Sequence, residues 1–276
     1  MLRSFFLGLF AIFSVAIFAN NKIRVKAEEH FSRGEWKEAS EIYNILISSE
    51  KNNISLYAPS IIAAGKCNNY NRVIEYIVFS ENCGIPLDSV FSRTLALSLK
   101  VKSTDVYENM LLTVSKKQPW LKNFINSHLL QFYSNRKNNE KVIEIADAII
   151  NSKPKNVTDI MLVKAKALND MGDTGYAIAI MNEIFNTDKN NVDARLFLGY
   201  YYFSSAKHSI KNGNFIVRLP GKRGKKSGKG LYINTDIYTA LKRAKNFLDV
   251  EILTNKRPYV QNTIKEIETM IAAFEN

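Results

Sequence analysis

The sequence holds few of the residues that most often perform chemistry. Its 276 residues include three histidines and two cysteines. His30, His128 and His208 lie far apart, and none stands in a metal-ligand spacing such as H-E-x-x-H. No G-x-S-x-G nucleophile elbow occurs. The adjacent carboxylates Glu28 and Glu29, and the nearby pair Glu266 and Glu268, read as solvated helix faces. Neither a metal, a cofactor nor a small-molecule substrate is therefore expected, and a catalytic reading has no constellation to rest on. Two cysteines are too few for a disulfide framework. Beyond Ala19 no apolar run approaches the roughly 20 residues that a spanning helix needs.

A further absence is local. No acidic residue occurs between Asp193 and Asp236, a stretch that carries nine of the basic residues in a chain of net charge +12. Away from it the chain is only mildly basic. Hydrophobic residues at 46% and charged residues at 23% otherwise suit an ordinary globular core.

The first residues read as an export signal. Arg3 is followed by the uncharged apolar run Ser4–Ala19 and then by polar Asn20, Asn21 and Lys22. Small residues at Ala16 and Ala19 suit cleavage after either, so residues 1–19 are expected to be a signal peptide. An uncleaved membrane anchor is the alternative. Either outcome places the rest of the chain outside the cytoplasm, in a periplasm or on a cell surface.

What the chain does have is an internal period. Arg33-Gly34-Glu35-Trp36-Lys37-Glu38-Ala39, then Tyr43, Leu46 and Asn52-Asn53, returns as Met171-Gly172-Asp173-Thr174-Gly175-Tyr176-Ala177, then Met181, Ile184 and Asn190-Asn191. Steps of 34 or 35 residues from Ala39 land on Val73, Tyr107, Val142 and Ala177. These residues resemble the tetratricopeptide repeat family, whose 34-residue units are pairs of antiparallel helices. The third copy is degenerate, and Pro59 falls inside the expected first helix of the second. A sixth copy opens with Leu198, Gly199 and Tyr202. Its second helix, marked by Ala240, Ala244 and Phe247, is displaced by an insertion of 29 residues.

The expectation is thus an all-α, right-handed solenoid of about six helix hairpins over residues 20–257, with a basic insertion at 211–234 in the last. Small residues paired across each hairpin (Ala27 with Ala39, Ala165 with Ala177, Gly199 with Ala240) let the two helices approach. Val260, Ile264, Ile267, Met270, Ile271 and Phe274 form one apolar stripe on a helix at 258–276. Such a helix caps the open end of a repeat array. Cys67 and Cys83 fall at the ends of successive helices, about 20 Å apart at 1.5 Å per residue. That is too far for a disulfide, so free thiols are expected.

Two surfaces remain as candidate sites. The resemblance implies a concave groove lined by first helices. Its positions here are Gln131 and Asn135 in the fourth repeat, Lys166, Asn169 and Asp170 in the fifth, and Tyr200 and Phe203 in the sixth. A mixture of amide, charge and aromatic suits a protein or peptide ligand, with aromatics as anchors. The alternative for Tyr200 and Phe203 is packing against the insertion. The second surface is the insertion itself, with Arg218, Lys222, Arg223, Lys225, Lys226 and Lys229. It has β-like flanks around a Gly/Lys-rich tip, which suggests a short hairpin. It fails as a phosphate-binding P-loop: with Gly228-Lys229 as the G-K pair, Arg223 takes the first glycine position and Gly230 the Ser/Thr position. An anionic lipid, polysaccharide or acidic protein face is the partner that its charge fits. Nucleic acid would fit too, but export argues against it. The function expected is a non-catalytic protein-binding scaffold of the cell envelope. The alternative is an envelope-binding protein that docks through its basic loop.

Overall fold

A computed structural model of the chain describes residues 21–212, 216–218, 231–233, 235–255 and 257–275. The expected signal sequence and the loop residues Lys222, Arg223, Lys225, Lys226 and Lys229 lie outside these residues. The chain divides into two compact blocks, Met1–Leu129 and Leu130–Asn276. Among the described residues no helix is long and apolar enough to cross a membrane.

The described part of the first block opens with a helix over residues 21–33 (α1). It continues through α2 (Trp36–Ser49), α3 (Tyr57–Lys66), α4 (Tyr70–Asn82), α5 (Leu87–Lys100) and α6 (Thr104–Lys117), and reaches the start of α7 (Lys122–Asn135). Its centre is α3, which lies against α2, α4, α5 and α6. Eight of its ten residues are buried. At Gly65 the approach to α6 is so close that a Cβ would stand 2.3 Å from Cγ1 of Val106. Pro59 fits because α3 starts only at Tyr57. The proline therefore stands in the first turn, where a missing N–H leaves no intrahelical bond unmade.

In the second block α8 (Asn139–Asn151), α9 (Thr158–Asp170), α10 (Thr174–Thr187), α11 (Val192–Lys211), α12 (Thr235–Asn255) and α13 (Pro258–Glu275) each pack against the next or pair across the short turns between them. Leu162, Ala165, Ala177, Met181, Ala194 and Leu198 share one apolar cluster. A second cluster joins Ile237, Leu241, Ala244 and Leu248 of α12 to Val260, Ile264, Ile267 and Phe274 of α13. The terminal helix thus covers the apolar stripe of α12.

The repeat is visible in the backbone as well. Gly34, Asn68, Lys102, Lys137 and Gly172 all have positive φ, between 53° and 90°. Each ends the first helix of a hairpin and precedes the anchors Ala39, Val73, Tyr107, Val142 and Ala177 by five residues. The N–H of the next residue reaches back five positions in every case: 35 to 30, 69 to 64, 103 to 98, 138 to 133 and 173 to 168, at 2.7–3.0 Å. This is the Schellman closure, which satisfies carbonyls that a helix end leaves open. The anchors are buried, with Ala39, Val73 and Ala177 at 0% exposure. The degenerate third copy folds as regularly as the others because its apolar positions survive while its turn residues do not.

The sixth hairpin departs from the expected register. Gly199 does not meet Ala240; a Cβ on it would stand 2.7 Å from the side chain of Leu248. The reason is length. Helices α11 and α12 run 20 and 21 residues, against 13 or 14 in α8, α9 and α10, so their close approach comes two turns later than a standard hairpin would place it. Arg195 fastens the same end. Its guanidinium, 7% exposed as a residue, donates to the carbonyls of Lys189, Asn246 and Phe247 at 2.8, 2.8 and 3.1 Å. Between α11 and α12 the backbone forms two antiparallel strands, β1 (Ile216–Arg218) and β2 (Leu231–Ile233), paired Ile216 with Ile233 and Arg218 with Leu231. The hairpin expected from the flanking composition is present.

Cys67 and Cys83 are free thiols at the C-terminal ends of α3 and α4. The three histidines stand apart, and exposed His208 bonds Asn212 at 2.9 Å. His128 stacks edge-on against Phe91 and Phe124 and bonds Asp88 at 3.2 Å, and His30 pairs with Glu35.

Candidate functional site

The first helices of the fifth and sixth repeats, α9 and α11, bound a recess of about 480 Å³ in the second block. Helical periodicity sets its lining. Lys166 and Asn169 stand one and four residues after the buried Ala165 on α9, so they emerge beside its seam with α10. On α11, Leu196, Tyr200 and Ser204 recur every four residues, with Phe197 and Tyr201 next to them. Leu196, Phe197, Tyr200 and Tyr201 are all half-buried. Each packs partly inward and keeps a face toward the recess. The Tyr200 ring also stacks on Tyr259 of α13 at 6.4 Å between centroids, an interplanar angle of 22°.

The polar rim is a matched pair. Lys166 Nζ donates to Asp193 Oδ1 at 3.0 Å across the mouth, with both side chains more than half exposed. Asn169 accepts from the Thr174 hydroxyl at 3.4 Å and contributes an amide edge. Lys166 and Asp193 are the cation and the anion of the lining, so among the described residues the recess carries no net charge.

Of the groove residues expected from sequence, the structure brings together Lys166, Asn169 and Tyr200. Asp170 is exposed on α9 but does not line the recess, and Gln131 and Asn135 are exposed on α7 away from it. Phe203 is taken up by the core. It is 7% exposed, packed among Ala206 and Ile237, with the Lys207 ammonium 5.1 Å above its ring. Position 203 falls on the buried side of α11 because it continues the stripe through Gly199 and Ala206. Sequence reasoning missed Asp193, Leu196, Phe197, Tyr201 and Ser204. Their signal was available: Asp193 precedes Gly199 by six residues, as Asp159 precedes Ala165.

The first block has its own recess, of about 470 Å³, where α2 and α4 diverge. Ile47, Ile74, Val78 and Phe79 line it, and Arg72 bridges it by donating to Asn44 and Glu75, both at 3.1 Å. It lies on second helices, the opposite set from α9 and α11. Among the described residues no group of three or more His, Cys, Asp or Glu side chains could hold a metal ion.

No family model and no curated protein matches the sequence. Solved structures do match its fold. A candidate protein-binding protein from Bacteroides ovatus is 18% identical, with 79% of this chain and 99% of that one covered, at a TM-score of 0.50. A tetratricopeptide repeat protein from Bacteroides fragilis is 13% identical over 91% of this chain and 99% of that one, at a TM-score of 0.35. Another from Parabacteroides merdae is 12% identical over 90% and 98%, at 0.37.

Proposed function

The fold is all-α and of the tetratricopeptide solenoid type, and from that premise we propose that this protein is a non-catalytic interaction scaffold that captures a protein segment in the recess between α9 and α11. The observation that carries this reading is the recess itself: four half-buried apolar and aromatic side chains converge under a polar rim. Aromatic groups held partly in the core keep their rotamers, so a ligand gains contact area with little side-chain ordering cost. The first-block recess offers aliphatic surface crossed by a paired arginine and has one exposed aromatic, Phe79. The leader-like residues 1–19 support an envelope location for the scaffold.

The test is site-specific photo-crosslinking in the native cell envelope. A crosslinker at Ser204, which is exposed at the recess, should yield a discrete adduct. One at exposed Gln131 should not yield that adduct. Equal labelling from both positions would refute the groove.

A second reading rests on a different observation, the nine basic residues and no acid between Asp193 and Asp236. In it the segment Lys211–Asn234 docks on anionic lipid or polysaccharide. Deleting that segment separates the two. Loss of salt-sensitive envelope association with the crosslinked adduct retained supports docking; loss of neither refutes it.

A further inference from the structure

Resting on the groove reading, we infer the class of ligand: a neutral segment anchored by a large apolar or aromatic side chain, and not an acidic chain terminus. Binding a carboxylate needs a cation or amide donor whose charge is still available. The recess has one cation, and Lys166 spends its ammonium on Asp193 at 3.0 Å. An incoming carboxylate would have to displace that partner and then sit beside it. No other lining residue carries a positive charge, among the described residues.

The floor asks for the opposite chemistry. Leu196, Phe197, Tyr200 and Tyr201 present faces that water covers in the free protein. A Phe- or Leu-sized side chain laid across them buries apolar area on both partners. Asn169 and Ser204 at the edge have donor and acceptor atoms suited to an extended peptide backbone. Sequence specificity would come from the anchor's size and shape, and ionic strength would matter little.

The experiment titrates three heptapeptides into the isotope-labelled full-length chain and follows amide NMR signals. One is blocked at both ends and carries Leu and Phe in a Gly/Ser frame. The second replaces Leu and Phe with Ala. The third is a Gly/Ser peptide with a free C-terminus ending in two Glu. The Leu/Phe peptide should shift signals of α9 and α11, with affinity changing less than about twofold between low and high salt. The Ala control should bind at least about tenfold more weakly. Tyr201→Ala should weaken the Leu/Phe peptide about tenfold, and Lys166→Ala should leave it within about twofold. Asp193→Asn, a change on the exposed rim, frees Lys166 and should admit the acidic peptide in a salt-sensitive way. It keeps the test decisive even were Tyr201→Ala to unfold. Preferential, salt-sensitive binding of the acidic peptide to the unmodified chain, lost in Lys166→Ala, would overturn the inference and leave the groove reading standing. No shift on α9 or α11 with any of the three would sink both.

Discussion

Gly65 is a place where one methyl group tests the packing of the first block. It is buried near the end of α3, and the Cβ of an alanine there would meet Val106 Cγ1 at 2.3 Å, while the other nearby atoms stand at 3.5 and 3.8 Å. The overlap exceeds 1 Å against ordinary carbon contacts. Val106 cannot swing away cheaply, since a β-branched residue in a helix holds essentially one rotamer. Overpacking of this kind costs about 1–3 kcal/mol. Replacing a helical glycine returns at most about 1 kcal/mol, and less near a helix end. Gly65→Ala should therefore destabilise the first block by about 1–2 kcal/mol. Val106→Ala alone removes two methyl-sized groups and should cost about 1.5 kcal/mol or more. In the double variant the new methyl occupies the space that Val106 vacates. Its loss should fall short of the sum by about 1–2 kcal/mol. Urea unfolding followed by tryptophan fluorescence measures this cleanly, because both tryptophans, Trp36 and Trp120, belong to the first block. A neutral Gly65→Ala, or additivity of the two changes, would refute the reasoning.

Three other outcomes are expected. Lys102→Gly and Lys137→Gly relieve residues held at φ 53° and 54° and should each stabilise by about 0.5–1 kcal/mol; an unchanged or lower Tm would contradict the turn geometry. Arg195→Met leaves three carbonyls without their charged donor and should cost about 2 kcal/mol by thermal unfolding, whereas an unaltered melting curve would show that the clamp contributes nothing. Burial lowers the His128 pKa, and Asp88 offsets this only in part. The folded state therefore binds the proton less readily than the unfolded chain, so stability is full above the ordinary imidazole range and falls as pH drops through it. NMR titration of the ring should give a value below that of an exposed histidine, and His128→Gln should flatten the acid side of the stability profile; a value above the ordinary one would reverse the sign.

The hairpin register was readable in the sequence because burial leaves a trace at fixed spacing. Ala39, Val73 and Ala177 are small or β-branched where helices meet, and each is fully buried. The turn residues were readable only in part. Gly34 and Gly172 announce a left-handed residue, but nothing about Lys102 or Lys137 does, since lysine takes that conformation only under the constraint of the helices around it. The sixth hairpin was misaligned because periodicity gives the face of α12 but not which turn of it meets Gly199; that depends on helix length. The candidate site divides the same way. Lys166, Asn169 and Tyr200 follow from their repeat positions, while Phe203 was misassigned because Gly199, Phe203 and Ala206 continue one inward stripe on a helix longer than its counterparts.

The long insertion interrupts a hairpin at its tip, and the two helices hold each other along their length, from Phe203, Ala206 and Ile237 near the insertion to Gly199, Leu248 and Arg195 at the other end. Joining two anchored helices through a longer chain costs little, since closure entropy rises only with the logarithm of length. Residues 213–234 are therefore a position where this scaffold tolerates foreign sequence: trimming them, exchanging them or replacing them with a reporter peptide changes what the protein displays there without disturbing how α11 and α12 are locked.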